Sequence, residues 1–415
     1  MSGSAHQFAM FVLALAVILV AARAAGVVAR RLGQPAVVGE IIAGIALGPT
    51  LLGGQVSTVL FPADIRPSLA TVANLGLALF MFSVGLDLDW ETSRRVLRTA
   101  VPVAVGAMLL PFVLGIALGL FLIERYPSDH PAVFVAFLGV AMSVTAFPVL
   151  ARIVDDNGLS RTDFGVLALS SAAICDVVAW SALAVLLAVA GAGGPNPWSL
   201  LLVVPYAWVM FRVVRPVLRG MAERAERSDR WAWCLTGAVL VGLPLSSLAT
   251  EGMGLHFVFG AFLFGAVMPR TGSGAPGTAW CGRCLPFVLP VFFAVVGLGV
   301  DLSGFPITRL WDIALIVAVA AAGKLLGGFA GARLRGLDVR RSSALAVLMN
   351  TRGLAELVVL AVGLRLGVLG NDLYSLMVVM AVATTVMTGP LLRLVHLERA
   401  PEKVPSPVPT LVPDP

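Results

Sequence analysis

The sequence has 415 residues, of which 59% are hydrophobic and only 13% charged. That balance excludes a soluble globular domain, and apolar runs of 18 or more residues recur from end to end. The net charge of +6 does not point to nucleic acid, because the basic residues gather in alternate connections between those runs.

In chain order the runs predict thirteen helices that cross a membrane. The first covers residues 8–30; the second, opened by Pro35, covers 35–52. Then come 68–87, 100–123, 131–153, 163–191 and 198–218. The last six are 231–250, 254–269, 284–300, 310–332, 342–364 and 373–395. Arginines crowd the odd-numbered connections: Arg30 and Arg31, then Arg94, Arg95 and Arg98, then Arg152 and Arg161. The same side receives the charged segment from Met221 to Arg230, as well as Arg333, Arg335, Arg340 and Arg341. Such an alternation predicts the N-terminus outside and the C-terminus in the cytoplasm of a plasma-membrane protein. The run at Phe8–Ala29 has no charged segment before it and reads as a span rather than a signal peptide. The proline-rich end, 399–415, reads as a disordered cytoplasmic tail. Cys281 and Cys284 form a C-x-x-C without a second pair or a histidine cluster, so they read as a coincidence in a loop.

Asp176 is the feature that asks most of the surrounding chain. It lies fourteen positions into the apolar run from Thr162, about 21 Å along a helix, near the middle of a hydrocarbon layer about 30 Å thick. A charge there costs on the order of 3 kcal/mol and needs a partner, a proton or an ion. Lys324 sits at a matching depth, fourteen positions from Leu310. A lysine can lose its proton when buried, whereas an arginine cannot.

Beside these two charges, two spans carry interruptions. The fifth contains Ser143-Val144-Thr145-Ala146-Phe147-Pro148, with a proline expected in the helix interior. The twelfth contains Asn350-Thr351-Arg352-Gly353, polar residues inside an apolar run. Paired interruptions in two halves of a chain point to inverted repeats and a transport site. Freed carbonyls there can hold a cation, and half-helix starts carry partial positive charge.

The chain resembles the bacterial sodium/hydrogen exchanger family, in the monovalent cation:proton antiporter-2 branch with Kef-like and plant CHX-like exchangers. The resemblance rests on Val38-Gly39-Glu40-Ile41-Ile42-Ala43-Gly44 with Leu47-Gly48-Pro49, on Phe82–Asp87 and on Ser143–Arg152. It continues through Asp176–Trp180, His256–Phe262, Gly297–Leu302 and Asn350–Leu357. It implies an all-α, polytopic membrane fold of about thirteen helices, with the two interrupted helices crossing at mid-membrane. It also implies a dimerisation scaffold (1–99 and 198–309) and a mobile core (100–197 and 310–398), and usually a homodimer. By resemblance the residue matching Asp176 binds the ion, and the lysine matching Lys324 lies close by. The chain departs from many relatives in carrying Cys175 where they carry a second acid or an asparagine. Lys324 then pairs with Asp176 itself or is neutral, and Cys175 is a small filler or a redox-sensitive thiol.

The expected activity is exchange of Na+ or K+ for H+, with no cofactor and no enzyme chemistry. Proton and cation compete for Asp176, with Ser143 and Thr145 as oxygen donors. One acid favours one proton per cation, an electroneutral cycle. Asn350, Thr351, Arg352, Glu356 and Pro148 are expected to support the site. Arg352 and Glu356, four apart on one helix, are candidates for a pair. Glu40, Glu251 and His256 read as structural residues, and Asp87, Asp89 and Asp301 as loop or helix-end residues. The alternatives are a gated cation channel and a transport-inactive sensor or partner subunit. An intramembrane aspartyl protease needs a second facing aspartate that no neighbouring span supplies.

Overall fold

A computed structural model describes residues 3–50, 54–87, 90–160, 162–189, 197–225, 228–269, 276–300 and 309–395. The tail at 399–415, Asp89 and Asp301 lie outside these residues, as do the side chains of Asp87 and Cys281. Among the described residues the chain is helical and has no strand. Hydrocarbon offers no hydrogen bonds to a bare backbone, so each span must satisfy its own polar groups. Among the described residues eight helical stretches, one of them the two-helix stretch Pro131–Asp156, are long and apolar enough to cross a membrane, and shorter apolar helices accompany them.

The first half runs α1 (Gly3–Arg31), α2 (Ala36–Leu47), α3 (Gln55–Leu60), α4 (Arg66–Asp87) and α5 (Trp90–Leu122). Next come α6 (Pro131–Ser143), α7 (Phe147–Asp156) and α8 (Asp163–Val189). Helix α8 starts where Thr162 Oγ1 accepts the Gly165 N–H at 3.0 Å, a side-chain cap. A short 3-10 turn leads into α9 (Val203–Val209), a π turn and α10 (Arg215–Ala225). The second half continues with α11 (Asp229–Gly252), α12 (Phe257–Val267), α13 (Pro276–Leu298) and α14 (Leu310–Arg333). It ends with α15 (Val339–Met349), α16 (Leu354–Arg365) and α17 (Asn371–Leu394).

Three expectations change here. Helix α5 begins ten residues before the predicted span, because Trp90–Thr99 continues as helix beyond the apolar stretch. Helix α13 likewise begins at Pro276, so the C-x-x-C lies in helix rather than in a loop, with Cys284 free and exposed. The predicted fifth and twelfth spans are each two helices, separated at 144–146 and 350–353.

Helix α14 packs along α5, and both also contact α8, α15 or α17. Glycines make the α5–α14 seam. A Cβ on Gly327 would come within 2.1 Å of the Gly106 carbonyl oxygen, and one on Gly331 within 2.3 Å of the Pro102 carbonyl oxygen. This seam fixes the rotation of α14, and so the direction of Lys324. A second group of helices packs α2 against α1 and α13, and α4 against α12 and α13. At one end of α14, Asp312 accepts the Tyr126 hydroxyl at 2.9 Å and pairs with Arg125, tying the α5–α6 connection to α14.

Candidate functional site

Pro148 does not break a helix; it begins one. It is the second residue of α7, where its missing N–H has no helical partner to lose. The interruption is the extended stretch Val144–Ala146 before it. The second interruption, 350–353, lies directly against the first. The Ala146 N–H donates to the Thr351 carbonyl at 3.1 Å, and Thr145 Oγ1 donates to the Met349 carbonyl at 3.3 Å. Gly353 permits this approach, since a Cβ there would stand 2.6 Å from Val149 Cγ2.

Lys324 fills the first break. Its Nζ donates to the Ser143 carbonyl and to Thr145 Oγ1, each at 2.6 Å, and the side chain is wholly buried. The Ser143 hydroxyl turns away and donates to the Val140 carbonyl at 2.7 Å. The oxygens expected to ligate a transported ion therefore hold the protein's own ammonium. No ion pair joins Lys324 to Asp176 among the described residues. The reason is geometric: the break places two oxygen acceptors directly in front of the lysine.

The second break is held by Arg352 and Glu356. The guanidinium pairs with Glu356 at 2.6 Å and donates to the Ala141 carbonyl at 3.3 Å and the Met142 carbonyl at 2.8 Å. Arg352 thus satisfies the Met142 carbonyl near the end of α6 and adds a second donor to the Ala141 carbonyl, which also accepts the Val144 N–H. Thr385 on α17 bonds both backbone groups of Arg352, accepting from its N–H at 2.9 Å and donating to its carbonyl at 2.8 Å. Asn350 Nδ2 donates to the Thr384 carbonyl at 3.3 Å, and Thr351 Oγ1 donates to the Leu348 carbonyl at 2.8 Å. Thr384 and Thr385 carry no sequence signal, since threonines recur in apolar helices without consequence.

Asp176 stands apart from these closed pairings. It is 3% exposed, its Oδ1 has no hydrogen-bond partner, and the Phe147 N–H at the start of α7 is directed at its carboxyl. The starts of α7 and α16 both border it, through Pro148 and Ala355. Their backbone N–H groups supply partial positive charge. Cys175, beside it in sequence, is fully buried, with its Sγ 3.7 Å from the Ala104 carbonyl on α5 and near Thr145 and Lys324. Trp180 and His256 line the same small space as Asp176. Trp180 follows Asp176 by one helical turn, a spacing that signals proximity; His256 lies eighty positions away and gives no such signal. Glu251 is exposed at the end of α11. Glu40 is buried with its Oε2 unpartnered, on a separate cavity of about 270 Å³ that it shares with Arg23, Arg30 and Arg152.

Residues 12–396 match the model of the family described as "Sodium/hydrogen exchanger, transmembrane". The chain belongs to the sodium/hydrogen exchanger family. Members of this family are multi-pass membrane transporters, not enzymes. The chain is 38% identical to the Na(+)/H(+) antiporter NhaS4 of Synechocystis sp. over 387 residues, 90% of this chain and 94% of that protein. It is 36% identical to Cation/H(+) antiporter 20 of Arabidopsis thaliana, covering 94% of this chain and 49% of that longer protein. The solved structure of the sodium proton antiporter MjNhaP1 from Methanocaldococcus jannaschii matches with a TM-score of 0.58 and 14% identity. That match covers 93% of this chain and 96% of MjNhaP1, and shows that the exchanger fold is shared.

Proposed function

We propose that the chain exchanges a monovalent cation, Na+ or K+, for protons by alternating access, with Asp176 binding proton and cation in turn. The observation that carries this reading is the unpartnered Asp176 Oδ1, buried where two half-helices begin. A buried bare carboxylate is costly. A proton neutralises it; so does a dehydrated cation, and one excludes the other. Only the neutral complex crosses the membrane cheaply. The relatives named for Na+/H+ and cation/H+ antiport support the same exchange here.

Lys324 has a different task in this scheme. Its ammonium occupies the Ser143 and Thr145 oxygens and holds the first break open in a fixed shape. The transported ion then takes Asp176 and other carbonyls as ligands. With one titrating acid at the site, exchange is one for one and moves no net charge.

The working arrangement is thirteen spans with the N-terminus outside and the C-terminus in the cytoplasm. Residues 1–99 and 198–309 form the scaffold of a homodimer, and 100–197 and 310–398 form the moving core. In everted vesicles, Asp176→Asn is expected to abolish cation-dependent recovery of a pH gradient while the protein remains inserted. Exchange at the normal rate in this variant would sink the assignment.

A further inference from the structure

A small space lies beside Asp176. It measures about 10 Å³. That is room for about one water molecule, by the usual requirement of roughly 10–15 Å³. A single water or a single bare ion fills it. Two walls, Pro148 and Ala355, belong to the first turns of α7 and α16 and are fixed by the paired breaks.

The other walls are Trp180, His256, Val258 and Phe259. Trp180 stands one turn from Asp176 on α8, on the same face of the helix. Its ring packs on His256, with centroids 5.2 Å apart, and His256 packs in turn on Phe257 at 4.4 Å. The stack runs from α8 to the start of α12, so it joins two separate parts of the helix packing. An indole offers a cation its π face but cannot restore a lost hydration shell.

We propose that Trp180, held in place by His256, determines which monovalent cation reaches Asp176, by limiting the site to one small dehydrated ion. The inference rests on the exchange reading above and extends it from the ion's charge to its size. Trp180 acts as the limiting wall, and His256 is a positioning residue that acts through the indole. Larger alkali ions such as Rb+ and Cs+ are excluded because the ring cannot yield without losing its stack.

The test uses the purified full chain in proteoliposomes, with proton efflux driven by Li+, Na+, K+, Rb+ or Cs+. In Trp180→Ala the kcat/KM ratio of Cs+ to Na+ is expected to rise about tenfold, the scale on which a pocket discriminates by size. His256→Ala is expected to move the ratio in the same direction by less, and His256→Phe, which can stack, to restore it. Trp180→Leu, which keeps apolar bulk, serves as the second variant if the alanine form does not insert; it is expected to shift the ratio partway. A uniform fall for every cation, or an unchanged ratio in these variants, overturns the proposal and makes the rings simple packing. If the wild-type chain moves no protons with any cation, the exchange reading fails first and takes this proposal with it.

Discussion

The Lys324 ammonium lies 2.6 Å from the Thr145 hydroxyl oxygen, and it is this contact, not a pair with Asp176, that ends its search for a partner. The two buried charges are therefore not in direct contact, although each lies within the field of the other. Lys324→Met keeps the bulk but leaves the Ser143 carbonyl and Thr145 hydroxyl short of a donor, at a cost of about 1–3 kcal/mol. Asp176→Asn removes a carboxylate whose Oδ1 bonds nothing, so the stability is expected to hold or rise. Thermal unfolding of the two variants in detergent checks this. A melting temperature that falls as far for Asp176→Asn as for Lys324→Met would mean that the two charges are paired.

Arg352 is wholly buried with three acceptors around its guanidinium: Glu356, Ala141 and Met142. Removing Glu356 leaves a buried charge with only carbonyl partners, and losses of about 3–5 kcal/mol attend such broken pairs. Glu356→Gln, which can still accept one bond, is expected to cost less than Glu356→Leu. Arg352→Met is expected to cost the most of the single changes, since it also uncaps the end of α6. The double change Arg352→Met with Glu356→Leu should remain destabilised for that same reason. Full recovery in the double variant, measured by thermal unfolding, would show that the caps contribute nothing.

The burial of Asp176 and Lys324 inside apolar helices, the i,i+4 pairing of Arg352 and Glu356 and the positions of two breaks were all legible in the sequence. Each is a local pattern: a charge in an apolar run, a helical spacing, a polar cluster. What was not legible depends on which helices meet. The Thr385 bonds to Arg352 and the His256 stack on Trp180 join residues far apart in the chain. Pro148 was misread because a proline in an apolar run looks the same whether it kinks a helix or starts one. The contacts of Lys324 were not legible, because only the folded break brings the Ser143 carbonyl and the Thr145 hydroxyl in front of its Nζ.

The α5–α14 seam makes a sharper demand than its apolar composition shows. At Gly327 an added Cβ meets backbone, the Gly106 carbonyl oxygen at 2.1 Å, which no rotamer change relieves. Gly327→Ala is expected to push α14 away from α5 and displace Lys324 from the first break. The expected result is a lower melting temperature together with reduced exchange, both worse in Gly327→Val. Gly220, around which a Cβ has open space, is the control, and Gly220→Ala is expected to change neither. Equal behaviour of the two alanine variants would mean that the seam is not close-packed.

Cys175 decides between two views of the residue beside Asp176. Its thiol is fully buried against the Ala104 carbonyl, so a thiol reagent has no access to it. Maleimide labelling of the native protein is expected to spare Cys175 and to reach it only after denaturation. Cys284, free and exposed, is expected to label natively. Native labelling of Cys175, with loss of exchange, would support a redox-sensitive role instead. Cys175→Ala is expected to keep exchange, because nothing in the proposed cycle uses the thiol. Cys175→Asp is the informative change. A carboxylate there competes with the Ser143 and Thr145 oxygens for the Lys324 ammonium and adds a second titrating acid. Exchange in that variant is expected to respond to an imposed membrane potential, while the wild-type rate does not. A potential-sensitive wild type would show that the single acid does not set the stoichiometry, and that Lys324 itself gives up a proton during transport.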